Sequence, residues 1–130
     1  MENRKMQLNQ IYMNIAIEVS KMSRCNRAKV GALLVKNNNI ISYGFNGTPA
    51  GFCNDCEENG ITKKEVIHAE ANAILKAGIK SFNIDLYLTL SPCIDCCKLI
   101  KQAGIKNVYI KEFYHDTSGL NTLKINYEKL

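Results

Sequence analysis

The sequence has no long hydrophobic run, no low-complexity tract and no linker between domains. Its longest purely apolar run is a few residues, far short of the roughly 18 that a membrane-spanning helix needs, so no membrane partner is expected. Residues 1–5 lead into a polar-interrupted pattern instead of an apolar signal-peptide core, so no export signal is expected. There is no stripe of basic and aromatic residues of the kind that binds single-stranded nucleic acid, and no nucleic-acid partner is expected.

The composition is that of an ordinary globular domain. The chain has 130 residues, is 46% hydrophobic and 22% charged, and carries a formal net charge of +5. These values exclude intrinsic disorder and predict a single domain over residues 1–130. Six cysteines beside only two histidines are unusual in a chain without an export signal. Metal or thiol chemistry therefore explains them better than a disulfide framework.

Hydrophobic periodicity and turn residues predict alternating helices and strands after an initial helix and hairpin. The turn at residues 36–39 is rich in asparagine, which tolerates positive φ, and a long loop is expected at residues 46–64. Ser91 is expected to cap the last helix, and Gly78 and Gly104 to end their helices in the left-handed region. Helices are predicted at residues 6–22, 68–77 and 91–103, and strands at 30–35, 40–45, 85–90 and 107–110. This order predicts an α/β fold with an antiparallel hairpin joined to parallel strands.

Residues 68–70 read His-Ala-Glu, and residues 92–96 read Pro-Cys-Ile-Asp-Cys. His68, Cys93 and Cys96 are a three-ligand set that leaves one position of a tetrahedral zinc open to water. Glu70 is close enough to move that water's proton without binding the metal. The H-x-E and P-C-x-x-C combination is the signature of zinc-dependent nucleobase deaminases. The alternative is a closed structural zinc site made from the two C-x-x-C pairs, at 53–56 and 93–96.

With these motifs the chain resembles the cytidine deaminase superfamily, and more narrowly it looks like the deoxycytidylate (dCMP) deaminases. The resemblance extends from about residue 23 to residue 115. It includes Val-Gly-Ala at 30–32, Gly-Phe-Asn-Gly-Thr-Pro-Ala-Gly at 44–51, the residues around both zinc motifs, and Tyr114. It implies a three-layer α/β/α fold with a mixed sheet. It also implies a homo-oligomer, commonly a hexamer.

The resemblance implies zinc-dependent hydrolysis of dCMP to dUMP and ammonia. Zinc-bound hydroxide would attack C4 of the pyrimidine, and Glu70 would protonate N3 and then the leaving amine. The product would feed thymidylate synthesis, which implies a cytoplasmic location, and the +5 charge would attract a small anionic nucleotide. Alternatives are a deaminase of another nucleoside, nucleotide or base, a nucleic-acid editing deaminase, or a zinc module without activity.

The resemblance also implies roles for residues around the zinc motif. Asn46 would contact the deoxyribose, the Ala69 N–H the pyrimidine edge, and Tyr114 would border the substrate, with Thr48 and Ser91 as further substrate contacts. Relatives are often activated by dCTP and opposed by dTTP, each with Mg²⁺, and Gly44, Phe45 and Gly47 would lie near that effector site. Arg24, Arg27 and Lys29 are either phosphate contacts or a solvated basic surface.

Three more cysteines, Cys25, Cys53 and Cys56, lie in regions where relatives hold a second, structural zinc. Glu57, Glu58, Glu65 or a water would then be the fourth ligand, and the alternative is free thiols. Cys97 is expected to be a buried packing residue, and His115 a surface residue or a phosphate contact. The family usually continues past Tyr114 with a helix and a fifth strand. The 16 remaining residues suggest one short element, with the fifth strand truncated or missing.

Overall fold

A five-stranded mixed sheet forms the centre of the structure, in the order β2-β1-β5-β6-β7. The computed structural model describes residues 2–114 and 116–130, with side chains except at positions 2 and 79. Its elements are α1 (Glu2–Ser20), β1 (Gly31–Lys36), β2 (Asn39–Phe45), β3 (Glu57–Glu58), β4 (Ile61–Thr62), α2 (Ala69–Ala77), a 3₁₀ turn (Gly78–Ser81), β5 (Asp85–Leu90), α3 (Ile94–Ala103), β6 (Asn107–Glu112), α4 (Ser118–Thr122) and β7 (Tyr127–Lys129). No helix in the described ranges is long and apolar enough to cross a membrane.

The strand directions confirm the predicted mixed sheet. β1 runs antiparallel to β2 and β5, whereas β5, β6 and β7 are parallel to one another. In the β1–β2 turn, Asn37 and Asn38 have φ of 50° and 62°. Two consecutive positive-φ residues give a turn whose twist matches that of the strands, which explains why asparagine occupies both positions.

The helices cover the two faces of the sheet and so form three layers. On one face α1 packs against the sheet through a core of apolar and aromatic residues: Tyr12, Met13, Ala16, Leu33, Val35, Tyr87 and Tyr109. On the other face α2, α3 and α4 share the larger core, which includes Ala32, Leu34, Ala73, Leu86, Leu88, Ile100 and Leu120. Adjacent strand residues point to opposite faces, which is why both faces need apolar side chains and both are covered.

Glycine allows the β1–β2 hairpin to approach helices on both faces. A Cβ at Gly31 would overlap the Ala16 carbonyl oxygen of α1, and one at Gly44 would overlap the Ala69 carbonyl oxygen of α2. Next to Gly44, the Ser42 hydroxyl donates to the Ala73 carbonyl oxygen at 2.7 Å. The start of α2 is therefore fixed against β2.

Several details differ from the sequence prediction. The expected loop at 46–64 contains the small hairpin β3–β4, and α3 begins at Ile94 with Cys93, not Ser91, as its N-cap. Gly104 ends α3 in the left-handed region as predicted, whereas Gly78 has φ 60° and ψ −135° and leads into a 3₁₀ turn.

The C-terminal segment holds more than the one short element predicted for it. It contains both α4 and β7, and β7 pairs in parallel with β6 over three residues. The prediction of a single element was wrong because a five-residue helix and a three-residue strand fit within 16 residues. The fifth strand is short but present.

Candidate functional site

Three potential metal ligands meet where α2 and α3 begin. His68 is the N-cap of α2 and Cys93 the N-cap of α3, and neither side chain caps its own helix. His68 Nδ1 lies 3.2 Å from Cys96 Sγ and 3.7 Å from Cys93 Sγ. A tetrahedral zinc ion places a nitrogen and a sulfur ligand about 3.5 Å apart, given Zn–N of about 2.0 Å and Zn–S of about 2.3 Å. The donor atoms therefore fit zinc in both type and spacing.

The cluster favours a thiolate at Cys93. Hydrogen bonds from Cys96 and then from His68 lower the pKa of the Cys93 thiol to about 4. The same contact with Cys93 raises the pKa of His68, against the effect of its burial. The pKa of Cys96 is raised, first by its hydrogen bond to Cys93 and then by burial. Because the thiolate is the metal-binding form of cysteine, this arrangement prepares Cys93 to bind a cation.

Glu70 lies in the first turn of α2 and is only 3% exposed. Burial raises the pKa of its carboxyl above the ordinary value for glutamate. The carboxylate lines the same cavity as His68 and Cys93. A buried carboxyl with a raised pKa, beside a potential metal site, holds a proton more readily than an exposed glutamate, which suits the role of a general acid–base.

These groups open onto a cavity of about 590 Å³, a size suited to a small molecule. The predicted site residues that line it are Cys25, Arg27, Asn46, His68, Ala69, Glu70, Ser91, Cys93 and Tyr114. The other predicted site residues, among them Thr48, are absent from the lining. Sequence reasoning missed Ala28, Val30, Glu57, Thr62, Val66, Leu90, Ile94, Asp116 and Gly119. Glu57 was considered only as a metal ligand, and no sequence signal marks Thr62 or Asp116.

Asn46 connects the cavity wall to the backbone leading into β1. Its Oδ1 accepts from the Val30 N–H at 2.9 Å, and its Nδ2 donates to the Ala28 carbonyl oxygen at 2.8 Å. The next residue, Gly47, forms a two-hydrogen-bond bridge with Ile67, immediately before His68. The Gly-Phe-Asn-Gly segment therefore shapes the wall and supports the histidine.

The other two residues predicted near an effector site have packing roles. Gly44 is buried beneath α2, where there is no room for a side chain. The Phe45 carbonyl oxygen accepts a hydrogen bond from Asn72 Nδ2 of α2 at 3.0 Å. Packing against α2 therefore explains why residue 44 is a glycine. These contacts do not test the predicted effector site, which stays a prediction.

Ser91 and Tyr114 form another part of the wall. The Ser91 hydroxyl accepts a hydrogen bond from the Tyr114 backbone N–H at 2.7 Å, instead of capping α3. Tyr114 is 49% exposed and lines the cavity. Ala69 is the first residue of α2, where backbone N–H groups have no partner within the helix. His115 lies outside the described residues.

The other cysteines do not form the expected three-thiol group. Cys25 and Cys56 are joined as a disulfide, and Cys53 is an exposed free thiol. Among the described residues, only His68, Cys93 and Cys96 group closely enough to hold a metal ion. The predicted site at Cys25, Cys53 and Cys56 is thus absent from this arrangement, because two of its sulfurs bond to each other. Cys97 is buried as predicted, and burial raises its pKa to about 11.

The three basic residues predicted near phosphate differ in position. Arg24 is exposed and is not part of the cavity lining. Lys29 Nζ donates to the carbonyl oxygens of Ser23 and Cys25, at 2.7 and 3.0 Å. Only Arg27 lines the cavity.

Comparison with known proteins identifies the family. Residues 6–112 match the model of the cytidine and deoxycytidylate deaminase zinc-binding region. ComE operon protein 2 of Bacillus subtilis is 40% identical over 113 residues, which cover 82% of this chain and 60% of that protein. Deoxycytidylate deaminase of Schizosaccharomyces pombe is 37% identical over 127 residues, 86% of this chain and 39% of that protein. The chain thus spans less than two thirds of these relatives.

A solved structure matches over nearly its whole length. It is the dCMP deaminase from the cyanophage S-TIM5 in complex with dCMP and dUMP, with a TM-score of 0.89 and 44% identity. The match covers 95% of this chain and 97% of that chain. Its fold agrees with the five-stranded mixed sheet and flanking helices described above. On the family match and these likenesses, the chain belongs to the cytidine and deoxycytidylate deaminase family, whose defining region binds zinc.

Proposed function

We propose that the chain catalyses the hydrolytic deamination of dCMP to dUMP and ammonia. The observation that carries the proposal is one cavity lined by His68, Cys93 and the buried carboxylate of Glu70, with Cys96 beside them. The likeness to a cyanophage enzyme solved with dCMP and dUMP supports this substrate. Water supplies the oxygen that replaces the amino group at C4, and the amino group leaves as ammonia.

His68, Cys93 and Cys96 would hold the zinc ion. Two cysteine thiolates and one neutral imidazole balance its charge and leave one position open. Held by these three residues, zinc would supply Lewis-acid activation of the water that serves as nucleophile.

Glu70 would move the protons of the reaction. Its carboxylate would take a proton from the attacking water and give it to N3 of the pyrimidine. It would then pass the remaining proton, from the hydroxyl now on C4, to the amino group, which leaves as ammonia when the C4–N bond breaks and the C4 carbonyl forms. Burial favours this cycle because the raised pKa makes the carboxylate a better base and keeps the transferred proton available.

Three parts of the wall would hold the nucleotide. The backbone N–H of Ala69 contacts the pyrimidine edge, Tyr114 borders the ring, and Asn46 faces the deoxyribose. Asn46 is fixed by hydrogen bonds to the backbone, which orients its amide before substrate binds. Ser91 acts through Tyr114, whose backbone it holds. Thr48 receives no role because the cavity lining does not include it.

The assembly is proposed on the same family basis. We propose that residues 1–130 form one domain and that copies associate as a homo-oligomer, a hexamer. Apolar side chains left exposed on α2 and α3 support association, with Leu75 72% and Leu99 47% exposed. Light scattering on the purified protein measures the number of copies.

Regulation and location complete the proposal. We propose activation by dCTP and inhibition by dTTP, each with Mg²⁺, and a cytoplasmic location where dUMP is used. Turnover of dCMP measured with and without each triphosphate tests the regulation.

The central proposal is tested by turnover. Zinc-loaded protein is mixed with dCMP, deoxycytidine, dCTP or cytidine, and deamination is followed by ultraviolet absorbance. Glu70→Gln should lower kcat for dCMP by about 10²- to 10⁴-fold while zinc content stays the same. Glu58→Gln, an exposed change in β3, is the matched control and should keep full activity. Absence of turnover with every pyrimidine would contradict the proposal.

A further inference from the structure

Asn72 connects the helix that carries Glu70 to the end of strand β2. Its backbone N–H donates to the His68 carbonyl oxygen at 3.0 Å, which closes the first turn of α2. Its side-chain Nδ2 donates to the Phe45 carbonyl oxygen at 3.0 Å. Asn72 is absent from the cavity lining. Its side chain can therefore act on a ligand through the backbone that it holds, not by touching the ligand.

The backbone that Asn72 holds belongs to the peptide group between Phe45 and Asn46. This group is planar, so fixing its two polar atoms fixes its orientation. The Phe45 carbonyl oxygen accepts from Asn72, and the Asn46 N–H donates to the Val30 carbonyl oxygen at 3.3 Å. On its other side, the Asn46 carbonyl oxygen accepts from the Ser23 hydroxyl at 2.9 Å. With the two side-chain hydrogen bonds described above, these contacts set the direction in which the Asn46 amide faces.

A second side-chain hydrogen bond joins the same helix and strand. The Ser42 hydroxyl donates to the Ala73 carbonyl oxygen at 2.7 Å, next to Asn72 in sequence and four residues before Asn46. Both bonds hold α2 against β2, but only the bond from Asn72 is made with the peptide group that leads into Asn46. The two bonds therefore allow a role in orienting Asn46 to be distinguished from a role in packing the helix.

We propose that Asn72 is a positioning residue for the sugar of the substrate, because it orients Asn46 relative to the helix that carries His68 and Glu70. The inference rests on the proposed function, in which Asn46 faces the deoxyribose, and extends it to a residue outside the cavity. The sugar of dCMP has one free hydroxyl, at C3′. Recognition of this hydroxyl is therefore the property that Asn72 affects.

Steady-state kinetics test the role by comparing dCMP with 2′,3′-dideoxycytidine 5′-monophosphate, which has the same base and phosphate but lacks the 3′-hydroxyl. Asn72→Ala should lower the preference for dCMP, measured as the ratio of the two kcat/KM values, by about 3- to 10-fold. Zinc content should stay the same. A merely structural loss at the metal or the base would lower both values alike, and an unchanged ratio would overturn the proposal.

Ser42→Ala is the matched control, because it removes the other side-chain hydrogen bond between α2 and β2. It should change the preference by less than about twofold. An equal loss of preference in Ser42→Ala would contradict the proposal, since packing of the helix would then explain the result.

Two further variants at position 72 keep the test decisive if Asn72→Ala does not fold. Asn72→Asp preserves the size of the side chain, but a carboxylate cannot donate to the Phe45 carbonyl oxygen, so the preference should fall as in Asn72→Ala. Asn72→Gln keeps an amide donor and should retain more of the preference than Asn72→Asp. Equal preferences in these two variants would overturn the proposal.

A double-mutant cycle tests whether Asn72 acts through Asn46. Asn46→Ala alone should remove most of the preference for dCMP, and adding Asn72→Ala should change it by less than about twofold. If Asn72→Ala lowered the preference by the same factor with and without Asn46, it would not act through that residue, and the proposal would fail.

Binding without turnover separates this inference from the proposed function. Calorimetry on the zinc-loaded protein should show tighter binding of dUMP than of 2′,3′-dideoxyuridine 5′-monophosphate, and Asn72→Ala should remove most of the difference. If the protein deaminates no pyrimidine but still shows this loss, only the proposed function fails. If it deaminates dCMP and Asn72→Ala keeps the full difference, only the present inference fails.

Discussion

Two C-x-x-C sequences in this chain have the same spacing and different structures. Cys93 and Cys96 stand at the start of α3, and both sulfurs lie within 4 Å of His68 Nδ1. Cys53 and Cys56 lie in the segment before β3, where Cys53 is exposed and Cys56 is buried and bonded to Cys25. The sulfurs of Cys93 and Cys96 therefore lie around one potential metal position, whereas Cys53 and Cys56 have different surroundings and share no partner among the described residues.

The difference comes from the backbone that carries each pair. At the start of a helix, residues three apart lie on the same face, so the spacing alone brings the two sulfurs together. An irregular segment gives no such relation, and the partner of each cysteine depends on contacts distant in sequence. A C-x-x-C spacing therefore predicts a metal site well only when the surrounding residues also predict a helix start.

The strongest test of this comparison replaces one cysteine in each pair. Cys96→Ser should lower zinc affinity and dCMP turnover by at least about 100-fold, because it removes a metal ligand. Cys53→Ser is the matched control and should keep zinc and activity, since that thiol is exposed and free. Zinc per chain and turnover are measured on both variants. Loss of zinc in Cys53→Ser would show that the second pair also binds metal.

A change of intermediate size is expected at the disulfide. Cys56→Ser opens a link between residues 31 apart, and we expect the free energy of unfolding to fall by about 2–4 kcal/mol. Denaturant unfolding without reducing agent measures the loss, and zinc should remain at one ion per chain. If the wild-type chain held two zinc ions and Cys56→Ser held one, the result would show that these cysteines bind a second metal ion and are not joined as a disulfide.

The smallest expected effect is on the pH dependence of activity. It depends on the burial of the Glu70 carboxylate, which lies beside Cys93 and Cys96. Burial raises the pKa of Glu70, and the reaction needs this carboxylate ionised. Activity should therefore fall as pH decreases through the raised pKa, at a higher pH than an ordinary glutamate would give. The pH profile of kcat/KM for dCMP measures this limb. The control variant Glu58→Gln should show the same fall in kcat/KM at low pH. If activity fell only at the pH expected for an exposed glutamate, the proposed role of burial would be contradicted.

Much of the fold could be predicted from the sequence because periodicity and turn chemistry agree there. β5 was predicted at its observed bounds, and the asparagines at 37 and 38 correctly indicated the hairpin turn. The hairpin β3–β4 was not predicted, because each strand has only two residues and no hydrophobic alternation. For the same reason only one short element was predicted in the C-terminal segment, which contains both α4 and β7.

The centre of the site could be predicted, but its outer wall could not. Local spacing on two helix starts explains why His68, Cys93 and Cys96 were found together. Glu57 and Thr62 enter the cavity through a pairing that only the folded chain creates. The disulfide was not expected, because Cys25 and Cys56 were grouped with Cys53 as ligands of a second zinc, and the sequence does not distinguish cysteines that share a metal from cysteines that bond to each other.

Gly44 shows how a residue without a side chain can affect a reaction that it never touches. Its lack of a Cβ lets α2 lie directly on β2, and α2 begins one residue after His68. A larger residue at 44 would push the histidine away from Cys93 and Cys96, which belong to a different helix. In a random mutagenesis screen for lost zinc, position 44 should therefore appear beside the ligands themselves. Such a hit would be mistaken for a binding residue unless its place beneath the helix were considered.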